Sequence, residues 1–146
     1  EFNIRFGDPE TQIVLPKLST DLISILEAIS TQTLDSIDVE WDARHTVCIV
    51  MAANGYPASY NKGDHISGIQ DSSDTNTWVY HAGTKQTDKG EFVTNGGRGL
   101  NVCAEGDTLK DAIDSAYQRV KRISFDGAYY RTDIGQKGLA RLTKSV

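Results

Sequence analysis

Three side chains at the start of the chain have the types and the spacing that metal–phosphate chemistry requires. Glu1, Asn3 and Arg5 alternate with other residues, and because side chains alternate faces along a strand, all three are expected on one face. The Glu and Asn oxygens are hard ligands that suit Mg²⁺, and the guanidinium suits a phosphate. A metal, a fixed cation and a phosphate are the components of phosphoryl transfer. The alternative is an ordinary half-buried strand whose apolar face enters a core through Phe2, Ile4 and Phe6.

A sharp turn is predicted directly after this strand, at Gly7-Asp8-Pro9-Glu10. Gly7 permits unusual dihedral angles, and Pro9 disfavours the helical region for the residue before it. The chain is therefore expected to reverse into a helix. Asp8 and Glu10 are interpreted as structural, with contact to an amine substrate as the alternative for one of them. An ion pair from Arg5 to either acid is the alternative to a phosphate-binding role for Arg5.

The order of several motifs resembles that of the phosphoribosylamine–glycine ligase family, also called glycinamide ribonucleotide synthetases, within the ATP-grasp superfamily. The opening stretch Glu-x-Asn-x-Arg-Phe-Gly-Asp-Pro-Glu-Thr-Gln is similar to the end of the family's catalytic domain. The other matching stretches follow in the family's order along nearly the whole chain: Gly55–Gly63, His81–Thr84, Thr94–Arg98 and Tyr130–Gly135. Each motif alone is weakly specific, but their shared order is highly specific.

The resemblance implies an α+β fold in two parts. Residues 1–36 are expected to be the C-terminal remnant of an ATP-grasp domain, and residues 37–146 a C-terminal α+β domain. The second part is predicted as a small antiparallel sheet, or half-barrel, covered by one long helix. The chain lacks an initiator Met and opens inside a strand motif, so we expect it to be a C-terminal fragment of a longer protein.

The activity that the resemblance implies is ligation. The ATP-dependent enzyme would join glycine to 5-phosphoribosylamine through a glycyl phosphate, giving glycinamide ribonucleotide, ADP and phosphate in purine synthesis. Its cofactors would be ATP and Mg²⁺ or Mn²⁺. The partners would be these small molecules and the missing N-terminal part of the same enzyme. The fragment alone is expected to be inactive, because the adenine and glycine sites would lie upstream.

The resemblance also suggests roles for individual residues. Glu1 and Asn3 are expected to hold the metal and, with Arg5, to bind ATP, and Arg5 is the predicted catalytic residue. The substrate-binding candidates lie in three loops, namely Lys62, Gly63, His81, Gly96, Gly97 and Arg98.

Alternatives remain open for each of these loops. Glycine amides and Lys62 suit an anion such as a ribose 5-phosphate, but a bulged loop explains the same pattern. His81 could bind the substrate, act as a general base or form a structural hydrogen bond. Gly96 and Gly97 beside Arg98 fit either a phosphate wall or a plain hairpin. Arg131 and Asp133 are interpreted as a structural pair.

Length and composition exclude several other classes. The chain has 146 residues and a formal charge of −5, which disfavours nucleic acid or an anionic membrane as partner. No apolar run approaches the roughly 20 residues of a membrane span. Cys48 and Cys103 lie in strand-like apolar runs and are interpreted as buried free thiols. Two cysteines form neither a zinc cluster nor a disulfide framework, and we therefore expect a cytoplasmic location.

Apolar periodicity predicts the principal elements. A helix is expected around Leu18–Ile29, with Ser19 or Thr20 as its N-cap, followed by a polar linker at Ser30–Glu40. Strands are expected at Arg44–Ala53, Thr77–His81, Glu91–Thr94 and Gly99–Ala104, with a hairpin turn at Asn95–Gly97. A second helix is predicted after Asp107 as N-cap, and residues 137–146 are predicted to form a helical turn or to be disordered.

Two other functions are compatible with these patterns. The chain could be a non-catalytic module that binds a phosphosugar or a partner domain, with Glu1–Glu10 as a remnant. It could also belong to another ATP-grasp carboxylate–amine ligase or carboxylase, although the stretch Arg5–Glu10 is not the continuation expected in carboxylases. The residues upstream of Glu1 would discriminate best, since a ligase needs a lid loop and an adenine-binding strand there.

Overall fold

The computed structural model describes residues 4–70 and 73–144. These residues form an α+β fold with antiparallel sheets and four α-helices. The helices are α1 (Thr11–Val14), α2 (Leu22–Thr31), α3 (Leu109–Val120) and α4 (Gln136–Leu142), and short 3-10 turns lie at Leu15–Lys17 and Leu34–Ser36. The strands are β1 (His45–Ala52), β2 (Thr77–His81), β3 (Thr84–Gln86), β4 (Phe92–Thr94) and β5 (Arg98–Gly106).

The main sheet has the strand order β1-β5-β2, with both pairings antiparallel. The central strand β5 is buried on both faces, since Leu100, Val102 and Cys103 are all fully buried. One face of the sheet packs against α3. The core between them contains Val47, Ile49, Met51, Leu100, Val102, Ala104, Ala112, Ile113, Ala116 and Val120. The predicted apolar stripe of α3 is therefore confirmed.

The two faces of β1 differ in burial. Val47, Ile49 and Met51 are buried against α3, whereas Cys48 and Val50 are half-buried on the opposite face. The second face is only partly covered, because α1 is four residues long. The Thr46 hydroxyl donates to the Ile13 carbonyl at 2.9 Å, which fixes α1 beside the start of β1.

The predicted hairpin at Asn95–Gly97 is wrong. The strands on either side of it pair with other partners: β4 pairs with β3, and β5 pairs with β1 and β2. The hairpin turn lies instead at Thr87–Gly90, where the Thr87 amide donates to the Glu91 carbonyl at 2.8 Å.

Two bends carry the chain between the sheets, one between β2 and β3 and the other between β4 and β5. The Asn95 amide donates to Gly83 O at 2.7 Å, and the Gly83 amide donates to Arg98 O at 2.7 Å. A Cβ on Gly83 would lie 2.6 Å from the Gly96 Cα. The glycines at Asn95–Gly97 therefore serve a close backbone crossing and not a tight hairpin turn.

Both predicted helix caps are displaced by one or two residues. The N-cap of α2 is Asp21, whose carboxylate accepts from the Ile23 amide at 2.8 Å. The N-cap of α3 is Thr108, not Asp107, because the Thr108 hydroxyl oxygen accepts from the Asp111 amide at 3.1 Å. Three adjacent residues before α2 and two before α3 carry side-chain oxygens that can cap a helix, and only the backbone geometry selects one of them.

The apolar stripe of α2 is mostly uncovered by the described residues. Ala28 is buried, but the side chains of Ile23, Leu26 and Ile29 are each more than half exposed. The predicted linker after this helix contains the last two residues of α2 and a 3-10 turn. It then returns alongside the residues before α2, where the Ser19 amide donates to Glu40 O at 3.0 Å.

The opening strand is not observed in its described part. Residues 4–6 form no strand, and Ile4 and Phe6 are exposed, so the expectation that they enter a core is wrong for this chain. A strand is stable only when its backbone groups pair with a neighbour, and within residues 4–70 and 73–144 no strand lies beside this segment. Glu1 and Asn3 lie outside the described residues.

The C-terminal segment is helical. Of the two alternatives for residues 137–146, the helix is confirmed for the described part, with α4 spanning Gln136–Leu142. In the described part of the chain, no helix is long and apolar enough to cross a bilayer.

Candidate functional site

A cavity of about 270 Å³ opens on the second face of the main sheet, at the β1 edge. Its floor is formed by Cys48, Val50 and Ala52 of β1. The remaining walls come from four separate parts of the chain, through Pro9, Tyr56, Arg98, Tyr129, Tyr130, Arg131 and Ile134. The cavity combines apolar and aromatic walls with two guanidinium groups, which is the usual composition of a small-molecule site.

Arg98, one of the predicted substrate-binding residues, lies at the cavity and contacts the N-terminal turn. Its Nη2 atom is 2.9 Å from Asp8 Oδ2, and its Nη1 atom donates to the Asp8 carbonyl oxygen at 3.1 Å. Gln12 of α1 donates to the other Asp8 carboxylate oxygen at 2.8 Å. These contacts hold Pro9 against the cavity, so the predicted turn and the glycine–arginine motif form one structure.

The segment Tyr129–Ile134 forms the opposite wall. Tyr129 and Ala52 exchange backbone hydrogen bonds of 2.8 and 2.9 Å, which extend the sheet beyond β1. The Tyr117 hydroxyl on α3 donates to Arg131 O at 2.8 Å and accepts from the Ile134 amide at 3.0 Å. The wall is therefore fixed from both the sheet and the helix.

The predicted pair of Arg131 and Asp133 is confirmed. Arg131 Nε donates to Asp133 Oδ1 at 2.9 Å and Nη2 to Oδ2 at 2.6 Å, a bidentate arrangement. The hydrogen bonds from Arg131 lower the pKa of Asp133. Both side chains are more than half exposed, so Arg131 lies at the cavity entrance with its charge already paired.

The loop at residues 55–63 lies beside the Asn95–Gly97 bend. The Gly63 amide donates to Thr94 O at 2.7 Å, and the Ala53 amide donates to Gly97 O at 2.8 Å. The rings of Tyr56 and Tyr60 cover Gly97 so closely that an added Cβ would lie 2.1 Å from the Tyr56 ring. The two predicted anion-binding loops are therefore neighbours.

The predicted substrate-binding residues are only partly brought together. Arg98 lines the cavity, and Gly96 and Gly97 precede it directly. Lys62 is exposed in the adjacent loop, and it is not one of the described residues that line the cavity.

His81 lies on β2, on the far side of β5 from β1. Its Nδ1 atom is 2.8 Å from the Thr84 hydroxyl, and its ring packs on Phe92 at 4.4 Å.

The predicted metal ligands Glu1 and Asn3 lie outside the described residues. Within residues 4–70 and 73–144, no three His, Cys, Asp or Glu side chains cluster as a metal site. Arg5 is exposed and donates to the neighbouring Phe6 carbonyl at 3.4 Å. The alternative role for Arg5, an ion pair with Asp8, is not observed, because Asp8 pairs with Arg98.

Sequence reasoning missed several cavity residues. The sequence places Tyr130 and Arg131 in a matching motif and Arg131 in a structural pair, but it does not indicate that they and Tyr129 form a wall of the site. The motif beginning at Tyr130 was a usable signal, because two adjacent aromatics followed by an arginine suit a site that is partly apolar and partly anionic. Tyr56 belongs to the motif Gly55–Gly63, but its position at the cavity depends on the fold, and Cys48 has no local signal at all.

The comparisons with known proteins agree with this architecture. The family model described as "Phosphoribosylglycinamide synthetase, C domain" matches residues 46–137. A phosphoribosylamine–glycine ligase of Synechocystis is 49% identical over 140 residues, which cover 95% of this chain and 33% of that protein. A bifunctional purine biosynthetic protein of Dictyostelium discoideum is 46% identical over 145 residues, covering 99% of this chain and 18% of that protein.

A solved structure is similar as well. The crystal structure of a phosphoribosylamine–glycine ligase from Thermotoga maritima matches with a TM-score of 0.70 and 30% identity. The match covers 91% of this chain and 32% of that one.

The fold and the cavity define an α+β module with an antiparallel sheet, of the kind found at the C-terminal end of a ligase. The chain belongs to the phosphoribosylglycinamide synthetase family and contains its C domain. It spans about one third of the length of the bacterial relatives that it matches.

Proposed function

We propose that the chain is the C-terminal third of an ATP-dependent ligase that joins glycine to 5-phosphoribosylamine. The products would be glycinamide ribonucleotide, ADP and phosphate, formed through a glycyl phosphate as a step of purine synthesis in the cytoplasm. The observation that carries this proposal is the 49% identity to a phosphoribosylamine–glycine ligase over 95% of the chain.

The proposed division of the chain follows from the same relationship. Residues 1–36 would complete an ATP-grasp domain whose larger part lies upstream, and residues 37–146 would form the C-terminal domain with its half-barrel sheet. The exposed apolar side chains of Ile4, Phe6, Ile23, Leu26 and Ile29 support this division. An apolar surface of this kind is expected where another part of the same protein packs.

The cavity beside Arg98 is proposed as one wall of the phosphoribosylamine site. Arg98 carries a fixed positive charge and has a guanidinium fork that suits phosphate oxygens. Its contact with Asp8 would orient the guanidinium and neutralise part of its charge before the substrate arrives. Gly63, where an added Cβ would meet nothing within 4 Å, would let the backbone approach the anion closely. Gly96 and Gly97, which pack against Gly83 and the Tyr56 ring, would contribute to the site by positioning Arg98. Lys62 in the neighbouring loop would add a second cation.

Arg131 and the adjacent tyrosines are proposed to contact the ribose. Arg131 lies at the entrance of the cavity with a bidentate pair to Asp133, so its charge is oriented but partly compensated. Tyr129 and Tyr130 would offer aromatic surface to the sugar ring. His81 is kept as a more distant candidate, because its Nδ1 atom is already engaged with Thr84.

The N-terminal motif is proposed to serve the ATP half of the reaction. Glu1 and Asn3 offer one carboxylate and one amide oxygen, a donor set that fits Mg²⁺ or Mn²⁺. A divalent cation held there would screen the charge of the ATP phosphates. Arg5 would stabilise the charge that develops on the transferred phosphoryl group.

The chain alone is expected to be inactive. Catalysis of this type depends on positioning both substrates and on preorganised charge, and about two thirds of the length of the relative from Synechocystis has no counterpart in this chain. The test is to assay the purified chain with ATP, glycine and 5-phosphoribosylamine. Turnover at the rate of an intact enzyme would contradict the proposal.

A direct test uses the longer enzyme that contains this chain. Lys62→Ala and Arg98→Ala should each raise the KM for phosphoribosylamine, with a loss of about 1.5–3 kcal/mol for one charge-assisted hydrogen bond. The KM values for ATP and glycine should barely change in Lys62→Ala, which leaves the contact between Arg98 and Asp8 intact. Lys85→Ala is the matched control, because Lys85 is an exposed lysine of β3 on the other sheet. A normal phosphoribosylamine KM in both variants, or an equal rise in the ATP KM of Lys62→Ala, would reject the proposed phosphate wall.

A further inference from the structure

The two cysteines of the chain lie directly opposite each other on neighbouring strands. Cys48 of β1 is paired in register with Cys103 of β5. Both are free thiols, and they project to the face of the sheet that points away from α3. Cys103 is fully buried, whereas Cys48 is half-buried and forms part of the floor of the 270 Å³ cavity. The proposed ligase chemistry uses neither thiol.

The direction of the backbone groups on β5 shows what kind of pair this is. The Glu105 amide donates to Asn76 O at 3.0 Å, on the β2 side. Backbone groups along a strand point in the same direction at every second residue. The amide and carbonyl of Cys103 therefore also point towards β2, and away from β1.

The same reasoning applies to β1. Both backbone groups of Ala52 are bonded to Tyr129, at 2.8 and 2.9 Å, on the edge of β1 that faces away from β5. The bulge beyond Met51 adds its extra residue to β5, at Gly99, so the alternation along β1 is unbroken. The backbone groups of Cys48, four residues before Ala52, therefore also point away from β5.

Cys48 and Cys103 consequently form a non-hydrogen-bonded antiparallel pair. In such pairs the Cα atoms are about 4.5 Å apart, and the side chains are closer than in hydrogen-bonded pairs. A disulfide accommodates Cα separations of roughly 4.4–6.8 Å. The two sulfur atoms can therefore be joined without displacing either strand.

The two thiols differ in reactivity. A hydrogen bond from the Cys103 thiol lowers the pKa of Cys48, against the opposing effect of burial. The hydrogen bond with Cys48, together with burial, raises the pKa of Cys103. Cys48 is therefore the attacking sulfur, because it lies on the cavity floor where a small molecule can reach it, whereas Cys103 is fully buried. Its lowered pKa acts in the same direction, since the thiolate is the nucleophile.

We propose that Cys48 and Cys103 form an oxidation site for small hydroperoxides, which closes to a reversible cross-strand disulfide. The Cys48 thiolate attacks the peroxide oxygen, the O–O bond breaks, and an alcohol or water leaves with the remaining oxygen. Cys48 then carries a sulfenic acid. The Cys103 sulfur then attacks the Cys48 sulfur, and the hydroxyl of the sulfenic acid leaves as water with the proton of the Cys103 thiol. In total, two thiols and one hydroperoxide give one disulfide, one molecule of water, and one alcohol (a second water if the peroxide is hydrogen peroxide). This proposal is independent of the ligase activity.

The test treats the reduced full chain with a small excess of hydrogen peroxide and maps its peptides by mass spectrometry without reduction. The expected product is a single chain that has lost two hydrogen atoms, with Cys48 and Cys103 linked, and dithiothreitol should restore both thiols. Two retained thiols, linkage between different chains, or oxygen added to Cys48 while Cys103 stays a thiol would each overturn the proposal.

Two variants assign the order of events. With dimedone present, Cys103→Ala should give a sulfenic acid adduct at Cys48, because the resolving thiol is gone. Cys48→Ala should leave Cys103 unmodified, because Cys103 is fully buried. Reaction of Cys103 at the wild-type rate in Cys48→Ala would reject the assigned nucleophile. If either variant fails to fold, the wild-type peptide map still decides whether the disulfide forms.

Discussion

Arg98 is bound to Asp8 by both branches of its guanidinium group. Nη2 lies 2.9 Å from the Asp8 carboxylate and Nη1 donates to the Asp8 carbonyl at 3.1 Å. The contact spans ninety residues of sequence and joins the first residue of β5 to the turn that follows the N-terminal motif. The proposed phosphoryl-transfer residues and the proposed ribose-phosphate wall are thus connected through one side chain.

The first prediction concerns the geometry of this contact. Arg98→Lys keeps the charge but loses the fork, since an ammonium cannot bond the carboxylate and the carbonyl in the same planar arrangement. The amides of residues 7–14 should exchange hydrogen faster, while those of β1 and α3 should be unaffected. Hydrogen exchange read by mass spectrometry would measure this. Because exposed ion pairs contribute about 0–1 kcal/mol, the global unfolding free energy should hardly change.

A matched control for the first prediction is Arg131→Lys, since Arg131 also forms a bidentate pair with an aspartate. Its effect should be confined to the segment Tyr129–Ile134. If Arg98→Lys leaves exchange at residues 7–14 unaltered, Arg98 does not hold the turn.

The second prediction compares two nearby glycines. Gly97→Ala should destabilise the chain by about 1–3 kcal/mol, a typical cost of overpacking, because its Cβ would lie 2.1 Å from the Tyr56 ring. Gly99→Ala should be tolerated, because the nearest atom to its Cβ is 3.4 Å away. Urea unfolding of both variants measures the difference. Equal stabilities would show that the Tyr56 ring moves aside at no cost.

The third prediction tests the N-cap of α3. Thr108→Ala should cost about 1 kcal/mol of unfolding free energy, because the hydroxyl that accepts from the Asp111 amide is lost. Asp107→Ala should cost clearly less, since Asp107 is the residue before the cap. Thermal unfolding of the two variants provides the comparison. A larger loss for Asp107→Ala would restore the prediction made from sequence.

The fourth prediction concerns pH and the pair of Asp42 and Arg44. Hydrogen bonds from Arg44 lower the pKa of Asp42 from 3.8 to about 2. A carboxylate with a depressed folded pKa stabilises the fold above its unfolded pKa and loses this contribution as the pH falls. The contribution should therefore be complete above pH 3.8 and disappear as the pH falls towards 2.

An NMR titration of the Asp42 carboxyl group would test the fourth prediction. Its midpoint should be close to pH 2 in the native chain and should return towards 3.8 in Arg44→Gln. The stability difference between the native chain and Asp42→Asn should also shrink between pH 3.8 and 2. A midpoint near 3.8 in the native chain would contradict the observed geometry.

Sequence by itself determined the family, the fold class and most of the elements. The order of the motifs identified the relationship, since shared order along a chain is independent of contacts. Strands at His45–Ala52 and Thr77–His81 and the helix α3 were predicted correctly, because apolar periodicity and β-branched content are local properties. The pair of Arg131 and Asp133 was predicted for the same reason, because the two residues lie two positions apart.

Only the tertiary structure decided which distant residues meet. The segment Asn95–Gly97, predicted as a hairpin turn, is a close backbone crossing beside Gly83. A glycine pattern indicates that a backbone can approach closely, but it does not indicate which part of the chain will do so. The partner of Asp8 is Arg98 and not the nearby Arg5, because the fold brings the start of β5 to the N-terminal turn. Cys48 and Cys103 lie opposite each other because of the register between β1 and β5. That register is set by the pairing of the two strands and not by a local feature of either one.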